Sequence, residues 1–228
     1  WLFPVAKLNA PNFNEWLRDV QWSDLSMGIF FSHNNLFGLS HQTSLVAYFG
    51  KSWAVGLGYR IPWIGTGQKI GLTMTAGYAN NYTVEYASVE NKRQMLYASG
   101  SSEDVKLSAK LSLRPGLYHY GTVKLTGEYI RISDSLYSLD TNYLARNKKA
   151  NTSLSLYADY YYDNRNSQSY PLKGNLLRVF VNKVGLGLVS KDVDYFFYGI
   201  DFHFYQALGK RFYVAEMVKA ENTSGENT

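Results

Sequence analysis

Cysteine is absent from the 228 residues, which excludes disulfides and thiolate metal sites. No run approaches the roughly 18–20 apolar residues that a membrane-spanning helix needs, because glycine and polar residues break every uncharged stretch. Charge is scarce as well: 18% of residues are Asp, Glu, Lys or Arg, against about 25% in an ordinary soluble chain. The sequence opens at Trp1 with neither a basic n-region nor an apolar h-region, so no signal peptide is expected within it. What is abundant is aromatic. Phe, Trp and Tyr make up 16% of the chain, with 20 tyrosines, in a sequence of mean hydropathy −0.27. Tyrosine and tryptophan favour places where one end of the ring is dry and the other wet.

The most informative local pattern begins at Asn151. Leu154, Leu156, Ala158, Tyr160 and Tyr162 point one way, and Ser153, Ser155, Tyr157, Asp159 and Asp163 the other. A period of two predicts a strand with one apolar and one polar face. The same alternation predicts strands at Ser26–Ser32, Thr43–Gly50, Trp53–Tyr59 (closed by Pro62), Ile70–Tyr78 with a continuation through Val84 and Tyr86, Val105–Arg114, Thr122–Ile132, Leu176–Val184, Tyr195–Tyr205 and Arg211–Val218. The first twenty residues alternate poorly and suggest a short helix from Asn12 to Asp19, capped by Asn12. Residues Asp134–Ala150 and the tail ENTSGENT read as loops.

This amounts to ten to twelve strands, several near the ~9–11 residues that cross a bilayer at a tilt. Lys106, Lys110, Arg114, Lys124, Glu128, Asp159 and Arg178 recur on the polar face. A soluble sandwich or small barrel would not repeat such residues on its inner face, whereas a wet lumen does. The expected fold is all-β: a transmembrane antiparallel up-and-down β-barrel. Those seven residues are the candidate lumen lining. They keep it wet and bridge neighbouring strands, or attract an anionic or extended polar substrate.

No enzyme motif is present. His33, His41, His119 and His203 lie far apart, and neither a GxSxG elbow nor an SxxK occurs. Gly65, Gly67 and Gly71 miss the dinucleotide spacing and lie between strands. Asp159 and Asp163 share a strand face without marking an acid–base pair, and the Asn-x-Ser/Thr triplets at Asn81, Asn151 and Asn222 mean little in a bacterial envelope protein. The net charge of +5 is spread along the strands rather than gathered in a patch, so no nucleic-acid partner is expected. The chain is read as a non-enzyme without a cofactor or metal.

Four stretches, in order, resemble the Omp85 superfamily, whose surface-antigen barrel includes BamA and TamA-like proteins. DNRNSQSYPLKG, with Asp163, Asn164, Arg165, Pro171, Lys173 and Gly174, is similar to its strand–turn–strand signature. HNNLFG, with Asn35, Leu36 and Gly38, looks like an early hairpin turn, and GYRIPWI, with Tyr59, Pro62 and Trp63, looks like the strand end that follows. WLFP…NFNEW resembles a Bacteroidota-type junction after a POTRA domain. The resemblance implies residues 1–22 as that junction and 23–228 as the N-terminal part of a sixteen-strand barrel in the outer membrane of a Gram-negative bacterium. No Arg-Gly-Phe/Tyr tripeptide of the family's lumenal loop is present, so a fragment is implied. The implied function is insertion of other barrels or translocation of polypeptide, through a lateral seam that opens to β-augmentation, with Ser26–Ser32 as one side of the seam. Implied partners are outer-membrane lipid and lipopolysaccharide, client barrels or translocated polypeptide, and accessory subunits. A passive or selective pore and the barrel anchor of a patatin-type phospholipase are the alternatives.

Overall fold

The structure, a computed structural model, describes residues 1–9, 13–18, 20, 22–90, 92–209 and 211–226. Its strands are β1 (Leu2–Leu8), β2 (Leu25–Leu36), β3 (His41–Phe49), β4 (Trp53–Ile64), β5 (Ile70–Val89), β6 (Lys92–Leu113), β7 (His119–Ile132), β8 (Ala150–Asp163), β9 (Gly174–Val184), β10 (Asp194–Ala207) and β11 (Tyr213–Glu226). Each pairs antiparallel with the next, giving one sheet in the order β1 to β11. This is the expected up-and-down barrel wall. The outer edges of β1 and β11 are unpaired among the described residues. No helix is long and apolar enough to cross a membrane.

Register turns the alternation along each strand into rows across the sheet. Leu57, Ala76, Leu107, Gly127 and Leu154 line up across β4 to β8, and Tyr59, Met74, Ala109, Leu125 and Leu156 form the next row. These side chains are not a core. Leu57 is 55% exposed and Leu107 57%. Rings bound the aliphatic rows: Trp53 packs on Tyr78 at 4.7 Å on one side, and His119 on Tyr160 and Tyr162 at the other. An apolar band of this size is a liability in water and is the solvated face in lipid.

The short connections 37–40, 65–69 and 114–118 share one end of the sheet, here the turn end, with 164–173 and 208–212. The longer segments 9–24, 133–149 and 185–193 leave the opposite, loop end.

Several strands differ from the alternation reading. Leu2–Leu8 pairs with Leu25–Phe31 on the outer side of β2, and Trp1 bonds Ser32, so Ser26–Ser32 is not an edge. Phe3 and Val5 put apolar side chains on the polar face and hide the period. Of the expected helix, Phe13–Trp16 is helical (α1), while Asn12 and Asp19 lie outside the described residues. Pro62 does not close β4. The strand continues to Ile64 through a bulge in which Pro62 and Trp63 stand opposite Gly71. A Cβ on Gly71 would lie 2.7 Å from the Pro62 carbonyl oxygen, so the bulge requires a glycine there. Of the expected tail loop, residues 221–226 are strand, since β11 runs through Glu226, and residues 227 and 228 lie outside the described residues.

The largest difference is at the loop end. β5 and β6 continue as a hairpin well past the other strands, bent where residues 98–101 of β6 stand opposite Tyr82 alone. Gly100 takes φ +68 in this bend, and Ser101 Oγ donates to the carbonyls of Ala98 (2.7 Å) and Tyr82 (3.3 Å). The segment after β7 is not an open loop. Asp134–Leu139 is a helix (α2), capped by Ser133, whose Oγ accepts from Leu136 N at 3.2 Å. Leu136 is wholly buried with Val84, Ile132 and Leu144, and Tyr86, Leu96, Tyr137 and Tyr143 surround them. This small core fastens the hairpin and residues 133–149 into a cap over the loop end. Asp192 joins the next segment to it: Lys148 Nζ donates to both its oxygens at 2.8 and 2.7 Å, and Ser190 Oγ at 2.6 Å.

Leu136→Ala should weaken the cap locally by about 2–5 kcal/mol. Amide exchange across residues 134–149 should rise while that of β8 to β10 stays unchanged. The bonds from Lys148 and Ser190 hold the Asp192 carboxyl below its ordinary 3.8. A lowered folded value stabilises above the unfolded one and is lost as pH falls through the folded one. Exchange in residues 186–193, corrected for its intrinsic pH dependence, should be constant from neutral pH to about 4 and rise below that. In Asp192→Asn it should already be raised at neutral pH, and the two proteins should converge as wild type is protonated.

Candidate functional site: the β1 edge and the polar face

The β1 edge follows from the ladder. Trp1 exchanges bonds with Ser32 at 2.8 and 2.9 Å, and Asn9 N donates to Asp24 O at 2.8 Å. Hydrogen-bonded pairs alternate in an antiparallel ladder, so Phe3, Val5 and Lys7 also face β2. Leu2, Pro4, Ala6 and Leu8 therefore present their main-chain groups to the open edge. Proline has no N–H. The edge offers donors at Leu2, Ala6 and Leu8, with a gap of about 13 Å between the first two.

One end of β1 is pinned by a buried polar network. Asn9 Nδ2 donates to Asp24 O (2.8 Å) and Ser26 Oγ (2.9 Å), and Ser26 Oγ donates to Ser52 O (2.7 Å). Tyr82 N donates to Ser52 Oγ at 2.9 Å, and Thr83 Oγ1 to Asn9 O at 3.0 Å. Lys7 Nζ reaches Asn81 Oδ1 at 3.4 Å. Asn9, Ser26 and Ser52 are almost fully buried. The Asn9 end of β1 is thus fastened to the long β5–β6 hairpin, whereas the Trp1 end is held by β2 alone among the described residues.

The structure places Lys106, Lys110, Lys124, Glu128, Asp159 and Arg178 on one polar face, and register sorts them. Lys106 lies opposite Glu128 and pairs with it at 3.1 Å. Arg178 Nη2 donates to Tyr157 OH at 2.6 Å and contacts Asp159 Oδ2 at 3.4 Å, and Tyr157 OH donates to the same oxygen at 2.8 Å. Asp201 and Glu221, which the sequence did not single out, continue the pattern with His203 (2.7 Å) and Lys219 (2.8 Å). Lys110 stands directly opposite Lys124. Arg114 lies beyond the end of β6, at the turn end, over the Tyr120 ring at 5.2 Å. Among the described residues no group of three or more His, Asp or Glu could hold a metal.

The motif residues around Asn35–Gly38 and Asp163–Gly174 form turns, and Tyr59, Pro62 and Trp63 lie in β4. Asn35 Oδ1 accepts from Ser40 N at 2.9 Å, beside Leu36 at the end of β2, and Gly38 takes φ +71. Tyr59 OH meets His41 Nδ1 at 2.6 Å. In the turn between β8 and β9 Asp163 holds Arg165 through two bonds of 2.8 and 2.9 Å. Asn164 Oδ1 accepts from Asn175 N at 2.6 Å, and Asn166 Oδ1 from Leu172 N and Lys173 N at 3.0 and 3.1 Å, closing the turn around Pro171. Gly174 takes φ +105, and a Cβ there would sit 2.5 Å from Asn164 O. These residues set a rigid turn rather than a reactive centre.

Comparison with known proteins agrees with this architecture. No curated protein sequence matches the chain. Among solved structures, BamA from Haemophilus ducreyi lacking POTRA domains 1–3 superposes with a TM-score of 0.62 at 14% identity, over 99% of this chain and 41% of that one. The chain therefore spans about two fifths of the length of that relative. The Omp85 superfamily domain matches residues 35–227. An antiparallel barrel wall with Asn-, Gly- and Pro-built turns, matched over most of its length by that domain, identifies the chain as a member of the Omp85 superfamily.

Proposed function

We propose that the chain is barrel wall of an outer-membrane protein that inserts other β-barrels or passes polypeptide across the membrane, working through the β1 edge. The apolar face meets lipid and lipopolysaccharide, and the polar face lines the lumen. Residues 1–9 then belong to the barrel, and a preceding POTRA domain would end before β1. The observation that carries this reading is the outer side of β1: without a partner among the described residues, interrupted at Pro4, and pinned at Asn9. Lipid tolerates no bare edge, so another strand must cover it. Because the proline withholds one donor, that cover is weakly held around Pro4 and exchanges with an incoming client strand by β-augmentation. The mechanism needs no covalent catalysis. Main-chain pairing supplies the affinity and the pinned end keeps β1 in the sheet while the other end yields.

The charged polar face also suits a pore. A pore conducts ions without folding clients, so the two readings separate in one preparation.

The test uses the full-length protein in proteoliposomes with an unfolded client barrel, folding being read by heat-modifiable mobility on gels. Wild type should accelerate client folding. Pro4→Ala restores a donor worth about 1 kcal/mol to the closed seam and should slow assembly roughly five-fold. Ion conductance with no client folding by wild type would overturn the proposal in favour of the pore.

A further inference from the structure

The polar face is not uniform. On β8 to β11, Arg178, His203 and Lys219 each have a carboxylate partner, and Lys106 has Glu128 on β7. One row differs. Arg60, Thr73, Lys110 and Lys124 stand side by side across β4 to β7, and no ion pair reaches the three cations among the described residues. Like charges directly opposite each other in a sheet are destabilising, so the Lys110–Lys124 pair works against the fold by itself. The nearest acids on this face, Glu128 and Asp159, are already paired with Lys106 and Arg178. Residues 25–84 and 105–127 contain neither Asp nor Glu. At the turn end the main chains of Lys69 and Arg114 are joined by a 2.7 Å bond, which sets two more basic residues at the mouth of the same region.

Beside the basic row runs one of small groups. Gly58, Thr75, Ser108, Thr126 and Ser155 share the polar face across β4 to β8, with Thr75 and Ser108 bonded at 2.7 Å. Five strands span about 19 Å, the length of roughly six extended residues. The small row leaves room for a main chain and offers it hydroxyls, while the basic row lies within side-chain reach. A lumen walled by low-dielectric sheet focuses such a positive field.

We infer that this face of β4 to β7 binds an acidic stretch of extended polypeptide, an inference that rests on the polypeptide-handling reading above and names the class of segment handled. Carboxylates of the segment lie against Arg60, Lys110 and Lys124, and its main chain lies over the small row. The like-charged pair is thereby relieved only when the segment is bound.

The test measures binding of a labelled peptide of about twelve residues, alternating glutamate and glycine, to full-length protein in nanodiscs by fluorescence anisotropy. Lys110→Gln with Lys124→Gln should weaken binding about ten-fold, and Lys110→Arg with Lys124→Arg should retain it. Lys92→Gln with Arg93→Gln, at the hairpin tip, should leave it unchanged. Equal binding by the wild-type and glutamine forms would overturn the inference. So would displacement of the peptide by inorganic phosphate at equal charge concentration, which would mark a small-anion site. Thermal unfolding of each variant distinguishes lost binding from lost folding. Client folding, assayed in parallel, separates the two failures: wild type that folds clients yet binds no peptide sinks this inference alone.

Discussion

Main-chain hydrogen bonding is the constraint on which everything else in this structure depends. A strand in hydrocarbon must pair on both sides, because no water is present to satisfy its N–H and C=O groups. Among the described residues nine of the eleven strands, β2 to β10, find that pairing on both sides in strict sequence order, and β1 and β11 find it on one. The exception in kind is β1. Its inner side is fully paired to β2, while its outer side carries a proline where the ladder calls for a donor. Proline in a ladder is confined to edge strands, strand starts and bulges, so Pro4 fits the outward-facing position it holds.

With pairing satisfied by the backbone, the side chains are free to divide by face. The apolar face is exposed and bounded by rings, and it contributes no interior. Ala47, Ala54 and Phe180 are buried singly in the wall, and the buried apolar cluster lies at the loop end, in the cap where Leu136 meets Val84, Ile132 and Leu144. The wall is thus held by hydrogen bonds and its solvent, and the cap by a miniature hydrophobic core with charged seams. The two parts obey different chemistry within one chain. Asp192, which bridges two segments of the cap, makes that part sensitive to acid.

Much of this was legible in the residues. β7 and β8 alternate so cleanly that their faces could be assigned from sequence, and the turn at Asp163–Gly174 carried enough Asn, Pro and Gly to be recognised. Three elements were hidden for physical reasons. Phe3 and Val5 place apolar groups on the polar face of β1, so its period vanishes. The first half of β6 is broken by a wide bulge at residues 98–101, which no period-two pattern survives. Leu136 and Leu144 are isolated apolar residues in a polar stretch, and only their partners on β5 and β7 make them a core. The candidate lumen residues could be placed on one face, but not sorted. Register alone shows that Lys106 meets an acid whereas Lys110 meets another lysine.

The bond from Thr83 to Asn9 joins residues 74 positions apart, yet it spans little space once β2 to β5 are in place. The entropy of closing that long loop is therefore met by the sheet itself, and the bond adds only the ordering of two side chains and their neighbours. A latch of this kind costs little to form and little to release, but it exists only after four strands have assembled. The hairpin thus acts as a clamp that recognises a finished wall: β1 is secured at its Asn9 end by the very strands whose completion makes an edge worth presenting.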